Sequence, residues 1–382
     1  MTAVLVAVRR SGGSAGAPEV KLPRSHGVHL LVPNPLEPMS YIDNLRLSGD
    51  GTTAVFVDPF DLVPGLPNDR LRRIYAVDVA TGEPSLVTEA KSVPLAISYD
   101  GRSILVELYE KRENVGLAVM DTKSGESSPL LPGEIRDVAG ADFSADGSTL
   151  AIVIGRDIYV VDVATGNARQ PLPDADGSFA DPHLSSDGRL LAVTSAADNL
   201  PVGAGAPGHD AIVVDLSTNE VTFAYDTSDP TFADHSTSAA GMSADGSILA
   251  INVQLSNVIG APASTSVGVP FLYDRAAATT SAVELPTDDG MPILANALAI
   301  SADGQRVLIG GELSSTTFIY DVAAGTATDI FPTVDGAPPH SFAAAFSNEL
   351  MSADGDVVVV TSISDRLSID PNQLPDVVVW SD

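Results

Sequence analysis

The sequence contains no cysteine and few aromatic residues, and both shortages limit what the protein can be. Because none of its 382 residues is Cys, disulfide bonds, thiolate catalysis and Cys-ligated zinc are excluded. Aromatic residues make up 5% of the chain and hydrophobic residues 44%, so aliphatic side chains must fill the core. No stretch approaches the ~20 consecutive apolar residues of a membrane-spanning helix, so no membrane span is predicted.

Basic residues are also scarce. The chain has 20 Lys and Arg against 50 Asp and Glu, which gives a formal net charge of −30. A nucleic acid would meet strong repulsion, and no basic cluster offsets it. Nucleic-acid binding is therefore excluded from the expected functions.

A repeated motif is the strongest signal that is present. Ser-x-Asp-Gly occurs seven times between apolar stretches, at intervals of roughly 50 residues. Asp-Gly between two strands favours a tight turn, because Gly adopts positive φ freely and Asp tolerates it. We therefore interpret these aspartates as turn residues rather than catalytic ones. They are Asp50, Asp100, Asp146, Asp187, Asp245, Asp303 and Asp354.

A second signature follows in most units, where an apolar run ends in Asp and a Gly or Asn usually stands four residues later, as in Asp162 to Gly166. The third unit shows four predicted strands most clearly, at residues 137–143, 149–154, 157–162 and 168–172. A four-stranded meander repeated seven times predicts an all-β fold, a seven-bladed β-propeller of four-stranded antiparallel blades.

The two ends of the repeat array predict how the ring closes. The seventh unit offers only three strands, and residues 27–32 form a surplus strand near the N-terminus. Pairing this strand into the last blade removes an exposed sheet edge. We expect one propeller domain over residues 27–382, preceded by a flexible arm over residues 1–26, and a monomer. An eight-bladed ring is the alternative, but no further unit carries the signature.

The repeat resembles the WD40-like (PD40-type) repeat of the TolB-like β-propellers. That repeat is written Ser-Pro-Asp-Gly at the first turn and Tyr-x-x-Asp before a Thr-Gly turn, as in Tyr159 to Asp162 and Thr165-Gly166 here. The resemblance covers about residues 40–382. Here the Pro is replaced by Ala in four units and by Gly, Tyr or Ser in the others.

Propeller geometry indicates where function lies. The Ser-x-Asp-Gly turns and the turns between third and fourth strands share one end, the turn face. The longer connections between second and third strands, and from blade to blade, share the other end, the loop face. Variable loops on a rigid frame usually carry binding residues. The candidate binding residues on the loop face are Asp181, His183, His209, Asp210, Asp234, His235 and His340.

Metal binding is a weaker hypothesis. The histidines are too far apart in sequence for a short ligand spacing. Oxygen-rich segments give calcium a somewhat better case, with Asp174, Asp176, Asp288 and Asp289 as candidates. Neither segment has the spacing of an EF-hand, and solvated acidic loops are the preferred interpretation. No cofactor is expected.

Two functions stay open at this stage. The first is a non-enzymatic TolB-like scaffold that binds a protein, peptide or glycan through its loop face. The alternative is a propeller enzyme, a lactonase or a glycan-acting hydrolase or lyase, with a metal-assisted site at the channel mouth. The compartment is also open. We expect a periplasmic or secreted protein if a longer precursor carries a signal, and a cytoplasmic one otherwise.

Overall fold

The computed structural model describes residues 27–32, 43–58, 62–63, 73–89, 93–110, 113–133, 135, 137–202, 208–229, 232, 235–255, 267–288, 291–292, 295–310, 317–330, 341–342, 350–362 and 376–381. Every regular element within these ranges is a β-strand, which confirms the prediction of an all-β fold. The predicted arm over residues 1–26 lies outside the described residues. No helix among the described residues is long and apolar enough to cross a membrane.

The first strand along the chain is β1 (Gly27–Val32), and six blades of four consecutive antiparallel strands follow it. Blade 1 is β2–β5 (Asp43–Leu47, Thr53–Asp58, Arg73–Asp78, Pro84–Thr88), and blade 2 is β6–β9 (Pro94–Ile97, Ser103–Glu110, Glu113–Asp121, Ser127–Pro132). Blade 3 is β10–β13 (Val138–Phe143, Thr149–Ile154, Asp157–Asp162, Ala168–Arg169), and blade 4 is β14–β17 (Phe179–Leu184, Leu190–Ser195, Asp210–Asp215, Glu220–Phe223). Blade 5 is β18–β21 (Thr237–Met242, Ile248–Leu255, Val267–Asp274, Thr279–Ala282). A short hairpin, β22–β23 (Thr287–Asp288, Met291–Pro292), precedes blade 6, which is β24–β27 (Asn296–Ile300, Arg306–Gly310, Thr317–Asp321, Thr326–Asp329).

The last repeat unit forms its sheet only with help from the N-terminal strand. The composite sheet has the order β1-β30-β29-β28, where β28 is Ser341–Phe342, β29 is Val357–Ser362 and β30 is Asp376–Ser381. Gly27 is paired with Ser381 in antiparallel register. The predicted pairing of residues 27–32 with the final strand is therefore confirmed. Of the seven predicted blades, the described structure shows six, each of four consecutive strands, and the last repeat unit contributes three strands to the composite sheet.

The core lies between neighbouring blades, because both faces of most blades are covered. In β11 (Thr149–Ile154), Ile152 packs toward blade 2 and Val153 toward blade 4. A strand buried on both faces reads as a continuous apolar run, and this strand is TLAIVI. One further cluster joins Leu45 of blade 1, Val359 of the composite sheet and Leu308 of blade 6. The composite sheet therefore packs between the first blade and the sixth.

The Ser-x-Asp-Gly segments are turns locked by their own side chains, as blade 3 shows. Ser144 Oγ donates to Asp146 Oδ1 over 2.7 Å, and the Thr149 N–H donates to Ser144 Oγ over 3.0 Å. Gly147 has φ of 69°, a left-handed conformation in which Gly is favoured. The same Ser-to-Asp hydrogen bond occurs in all seven units. The prediction that these aspartates are turn residues is confirmed.

Residue x of these turns links one unit to the next through its backbone, and we call this set of bonds the turn belt. The x-residue N–H donates to the x-residue carbonyl of the following unit in five places: Ala145 to Ser186, Ser186 to Ala244, Ala244 to Ala302, Ala302 to Ala353, and Ala353 to Gly49. Proline has no N–H and cannot make this bond. The replacement of Pro at position x is thus what allows the belt to form.

Candidate functional site

Asp181, one of the site residues predicted for the loop face, is linked to a neighbouring blade by hydrogen bonds. The register of β14 against β15 shifts between Ala180 and His183, and Asp181 has φ of 51°, uncommon outside Gly, Asn and Asp. This bend lets Asp181 Oδ2 accept a hydrogen bond from Thr194 Oγ1 over 3.1 Å. Thr194 Oγ1 in turn accepts the Ala239 N–H of blade 5 over 3.0 Å. The carboxyl is therefore held where blades 4 and 5 meet.

The electrostatics of Asp181 differ from those of a surface carboxylate. Burial raises its pKa, while the Thr194 hydrogen bond and the charge of His209 lower it to a smaller extent. His209 is exposed, so its ring is accessible to a ligand. A partly enclosed carboxyl beside an accessible imidazole can accept or donate hydrogen bonds, and this pair is the chemically richest part of the described loop face.

The segments that follow His209 and His235 are fastened together. The Thr237 N–H donates to the His209 carbonyl over 2.7 Å, which ties blade 4 to the start of blade 5. Asp210 is buried and accepts a hydrogen bond from the Tyr225 hydroxyl over 2.5 Å. Asp210 therefore holds Tyr225 inside the blade and does not face a ligand. His235 is half-buried and stands two residues before Thr237.

His183 lies in strand β14 and is buried, with 7% of its surface exposed. Its Nε2 atom has no hydrogen-bond partner. Burial lowers the pKa of His183 to about 4, so the ring is neutral near pH 7. The sequence placed this residue at the loop face, and the structure places it inside the blade instead.

The calcium candidates of the first segment are used in loop packing. The Asp198 N–H donates to Asp176 Oδ1 over 3.0 Å, and Asn199 Nδ2 donates to the Asp174 carbonyl over 2.7 Å. Among the described residues no group of three or more His, Asp or Glu is arranged to hold a metal ion. Asp234, Asp289 and His340 lie outside the described residues, and only the backbone of Asp288, in β22, is described.

A second site lies on the propeller axis at the turn face. A cavity of about 160 Å³, here called the axial cavity, is bordered by at least two residues from every repeat unit. Its wall is about equally polar and apolar and comes from the last residues of the innermost strands and from position x of the turns. The lining residues are Leu47, Gly49, Ile97, Tyr99, Asp142, Phe143, Ala145, Leu184, Ser186, Met242, Ala244, Ile300, Ala302, Met351 and Ala353.

Asp142 is the single charged residue among those described as lining the axial cavity. Its Oδ2 accepts the Leu184 N–H over 2.6 Å. Enclosure by the protein raises the pKa of Asp142 to about 7, against lowering contributions from the Leu184 and Phe143 N–H groups and from the charge of Arg46. A carboxyl with such a pKa, placed in a cavity, is typical of functional sites, although structural networks also produce it.

Sequence reasoning missed Asp142, although a signal was present. Asp142 stands two residues before the turn serine, where the other units have Arg46, Ala96, His183, Gly241, Ala299 and Leu350. When the seven units are aligned on their turn serines, an ionisable residue stands at this position in only three of them, and this departure from the small and apolar residues of the other units is the signal.

A groove between blades 3 and 4 on the turn face has a volume of about 460 Å³. Arg169 and Arg189 line it, but both are engaged. Arg169 Nη2 donates to the Leu216 carbonyl over 2.6 Å, and Arg189 Nε lies 3.9 Å from Asp215 Oδ2. Both arginines therefore already have partners within the protein, and the groove offers little free positive charge to a ligand.

No protein-family model and no curated protein sequence matches this chain. Among solved structures, the oligogalacturonate lyase of Vibrio parahaemolyticus is 14% identical and matches over 93% of both chains with a TM-score of 0.58. The β-propeller domain of Cps50 (Swd1) from Myceliophteria thermophila is 10% identical, over 89% of this chain and 97% of that one, with a TM-score of 0.52. TolB from Acinetobacter baumannii is a weaker match, 15% identical over 88% of this chain and 78% of that one, with a TM-score of 0.44.

These likenesses, together with the strand order, show that the chain is a β-propeller of four-stranded antiparallel blades. The predicted β-propeller fold is therefore confirmed. At these identities the solved structures show the fold alone.

Proposed function

We propose that the protein is a non-enzymatic platform that binds a protein, peptide or glycan ligand through its loop face. The observation that carries this proposal is the cluster of Asp181, Thr194 and His209. It joins blade 4 to blade 5 on a frame that hydrogen bonds hold rigid. Binding sites commonly combine such a fixed frame with a few well-placed polar groups.

The charge of the chain favours some of these ligands over others. A net charge of −30 attracts cationic segments and repels polyanions over several ångströms of solvent. A basic or neutral peptide fits this field, and so does an uncharged glycan. An anionic glycan such as oligogalacturonate fits it poorly, so the substrate named for the structurally similar lyase is disfavoured for this chain.

We further propose that the platform is a closed ring in which the composite sheet acts as the seventh blade. Two features support this. The apolar cluster that contains Val359 contacts both blade 1 and blade 6, and the turn belt passes from Ala302 through Ala353 to Gly49. Closure fixes the loop face as one continuous surface.

The experiment is a selection of displayed peptides of basic, neutral and acidic composition, and of arrayed neutral glycans, on the purified protein. Recovered ligands are then measured against Asp181→Asn and His209→Ala, with Asp157→Asn as a matched control on an exposed residue of blade 3. We expect affinity to fall about tenfold or more in the first two variants, the loss of one good polar contact, and to stay unchanged in the control. Ligands that bind all variants equally would contradict the proposal.

The proximity of Asp181 and His209 also favours the second candidate, an enzyme that uses the two as an acid–base pair. A carboxyl whose pKa is raised by burial keeps its proton to a higher pH than a free carboxyl does, and the charge of His209 acts on it electrostatically. Screening lactones and neutral oligosaccharides for turnover, together with metal analysis of the purified protein, separates the two functions. Turnover that Asp181→Asn abolishes would replace the binding proposal.

A further inference from the structure

We propose that the axial cavity is a second binding site, which takes an alkylammonium group, either a lysine side chain of a peptide or a free aliphatic amine. The ammonium would contact Asp142, and the alkyl stem would lie along the apolar part of the wall. This site is at the turn face, so it is separate from the loop-face site and goes beyond the function proposed above.

The size and lining of the axial cavity suit a small elongated group. Its volume of about 160 Å³ is well above the ~30 Å³ share of one water. It is below the ~300–1,000 Å³ of pockets for drug-sized ligands. Aliphatic and Met side chains from all seven repeat units form the apolar half of the wall, among them Leu47, Ile97, Met242 and Met351, and polar atoms form the other half. Unbranched alkyl stems bury well against such surfaces while the charged head keeps a polar partner.

The axial cavity is partly open to solvent at Tyr99. Tyr99 is 43% exposed, although it stands at position x of its turn, where small residues prevail. Gly49 makes room for it, because a Cβ at position 49 would lie 2.4 Å from Tyr99 Cδ2. A tyrosine ring beside the entrance offers an apolar surface and a π face to an approaching cation.

Asp142 supplies the recognition of charge. Its Oδ2 holds the Leu184 N–H over 2.6 Å, and a carboxylate has about four acceptor positions on its two oxygens. Acceptor capacity therefore remains for an ammonium, which has three donors. The net charge of −30 favours the approach of a cation further.

The other charged groups around Asp142 set the pH at which binding is strongest. Arg46 of β2 lowers its pKa. In the adjacent strand β14, Asp181 has a raised pKa and His183 is neutral near pH 7. The neighbouring strands β6 and β11 carry no ionisable side chain. Because enclosure raises the pKa of Asp142 to about 7, the carboxylate that an ammonium needs forms mainly above that pH.

The test is a titration of the whole protein with n-butylamine, with a peptide carrying one lysine, and with two neutral counterparts, n-butanol and the norleucine peptide. Binding is followed by calorimetry, and the Asp142 carboxyl by carbon-13 NMR. We expect both amines to bind about tenfold more tightly near pH 8 than near pH 6, as one ionising group with this pKa requires. Saturation with amine should lower the pKa of Asp142.

Variants identify the site and the source of the amine. Asp142→Asn should reduce the affinity of both amines tenfold or more, whereas Asp157→Asn should not change it. Ala244→Trp keeps Asp142 but fills the axial cavity with a large side chain, and it replaces Asp142→Asn as the test if that variant fails to fold. Tighter binding of the lysine peptide than of butylamine would assign the site to a protein partner, and the reverse to a free amine. Equal binding of butanol, unchanged binding in Ala244→Trp, or no amine binding near pH 8 would overturn the proposal.

Discussion

Single residues in left-handed conformation close the turns between third and fourth strands, and one of them is unfavourable. In each of the six blades the third strand ends in Asp, and the fourth residue after that Asp has positive φ. These residues are Gly82, Gly125, Gly166, Asn219, Ala278 and Gly325. Ala278 has φ of 53°, a conformation that costs an Ala roughly 1 kcal/mol more than a Gly. The sequence signature ends at Tyr273-Asp274 in this unit, because the expected Gly is absent.

We predict that Ala278→Gly stabilises the protein by up to about 1 kcal/mol, since strain is removed and only part of it is offset by the greater freedom of Gly in the unfolded chain. Urea unfolding measures the change. The reverse substitution Gly325→Ala is the matched control, because its new Cβ would meet nothing closer than the Tyr320 hydroxyl at 3.9 Å. It should destabilise by a similar amount, and a neutral result for both would mean that these turns relax.

At the scale of single residues, the sequence predicts the role of a side chain that depends on hydrogen bonds to nearby residues. It does not predict a role that depends on burial by distant parts of the chain. The aspartates of the Ser-x-Asp-Gly turns were recognisable because the Ser and Asp side chains hydrogen-bond within the turn and Gly adopts the positive φ that the turn needs. Asp142 and His183 occupy equivalent positions two residues before a turn serine, yet their altered pKa values arise mainly from burial in the folded protein. No local sequence pattern reports how deeply a side chain is enclosed.

At the scale of the strand, prediction was accurate where strands are buried and poorer where they are exposed. The predicted strands at 149–154 and 157–162 match β11 and β12. The fourth strand of the same blade was expected over residues 168–172, but β13 contains only Ala168–Arg169, both exposed. An outermost strand packs against little else, so few tertiary contacts stabilise its pairing with the neighbouring strand. The intrinsic β-propensity of its residues then largely decides its length. The long loops, which carry most of the proposed binding residues, have no periodicity from which a conformation could be derived.

The pairing of β1 with β30 can be tested directly, because the chain has no cysteine that could interfere. We predict that the double substitution Gly27→Cys and Ser381→Cys forms a disulfide, since these residues are paired across the ladder. A bridge that closes nearly the whole chain should stabilise by up to ~5 kcal/mol in the chain-entropy account. Thermal unfolding with and without reductant measures the gain.

The control for this experiment is a pair that is not in register, Gly27→Cys with Ser362→Cys in β29, which lies beyond β30. It should not cross-link. If the in-register pair stays reduced under oxidising conditions, β1 does not lie beside β30, and ring closure by the composite sheet is wrong.

At the scale of the molecule, the half-buried Asp142 and the buried His183 give opposite dependences of stability on pH. Asp142 has its pKa raised from 3.8 to about 7, so the folded protein keeps a proton that the unfolded chain releases. Its contribution to stability is lost as pH rises through that window. His183 has its pKa lowered from 6.5 to about 4, so the unfolded chain takes up a proton that the folded protein refuses. Its contribution is lost as pH falls.

We predict that these slopes largely cancel in the native protein and that single substitutions reveal them. Between about pH 4.5 and pH 6.5, one proton of difference changes the free energy of unfolding by up to ~3 kcal/mol. Relative to the native protein, Asp142→Asn should gain stability as pH rises through this range, and His183→Gln should lose it. Urea unfolding at both ends of the range tests this. Parallel pH profiles for all three proteins would show that neither group is titrated as its burial implies.

The composite sheet has a consequence for how the protein is made. Among the described strands, β1 is the first to be synthesised and its partner β30 is the last. Contacts between such distant segments form slowly, because a long loop must close before they are gained. Until synthesis passes residue 381, the unfinished chain therefore has an open seam with two unpaired strand edges, and this is the interval in which chaperones would have to protect it from other nascent chains.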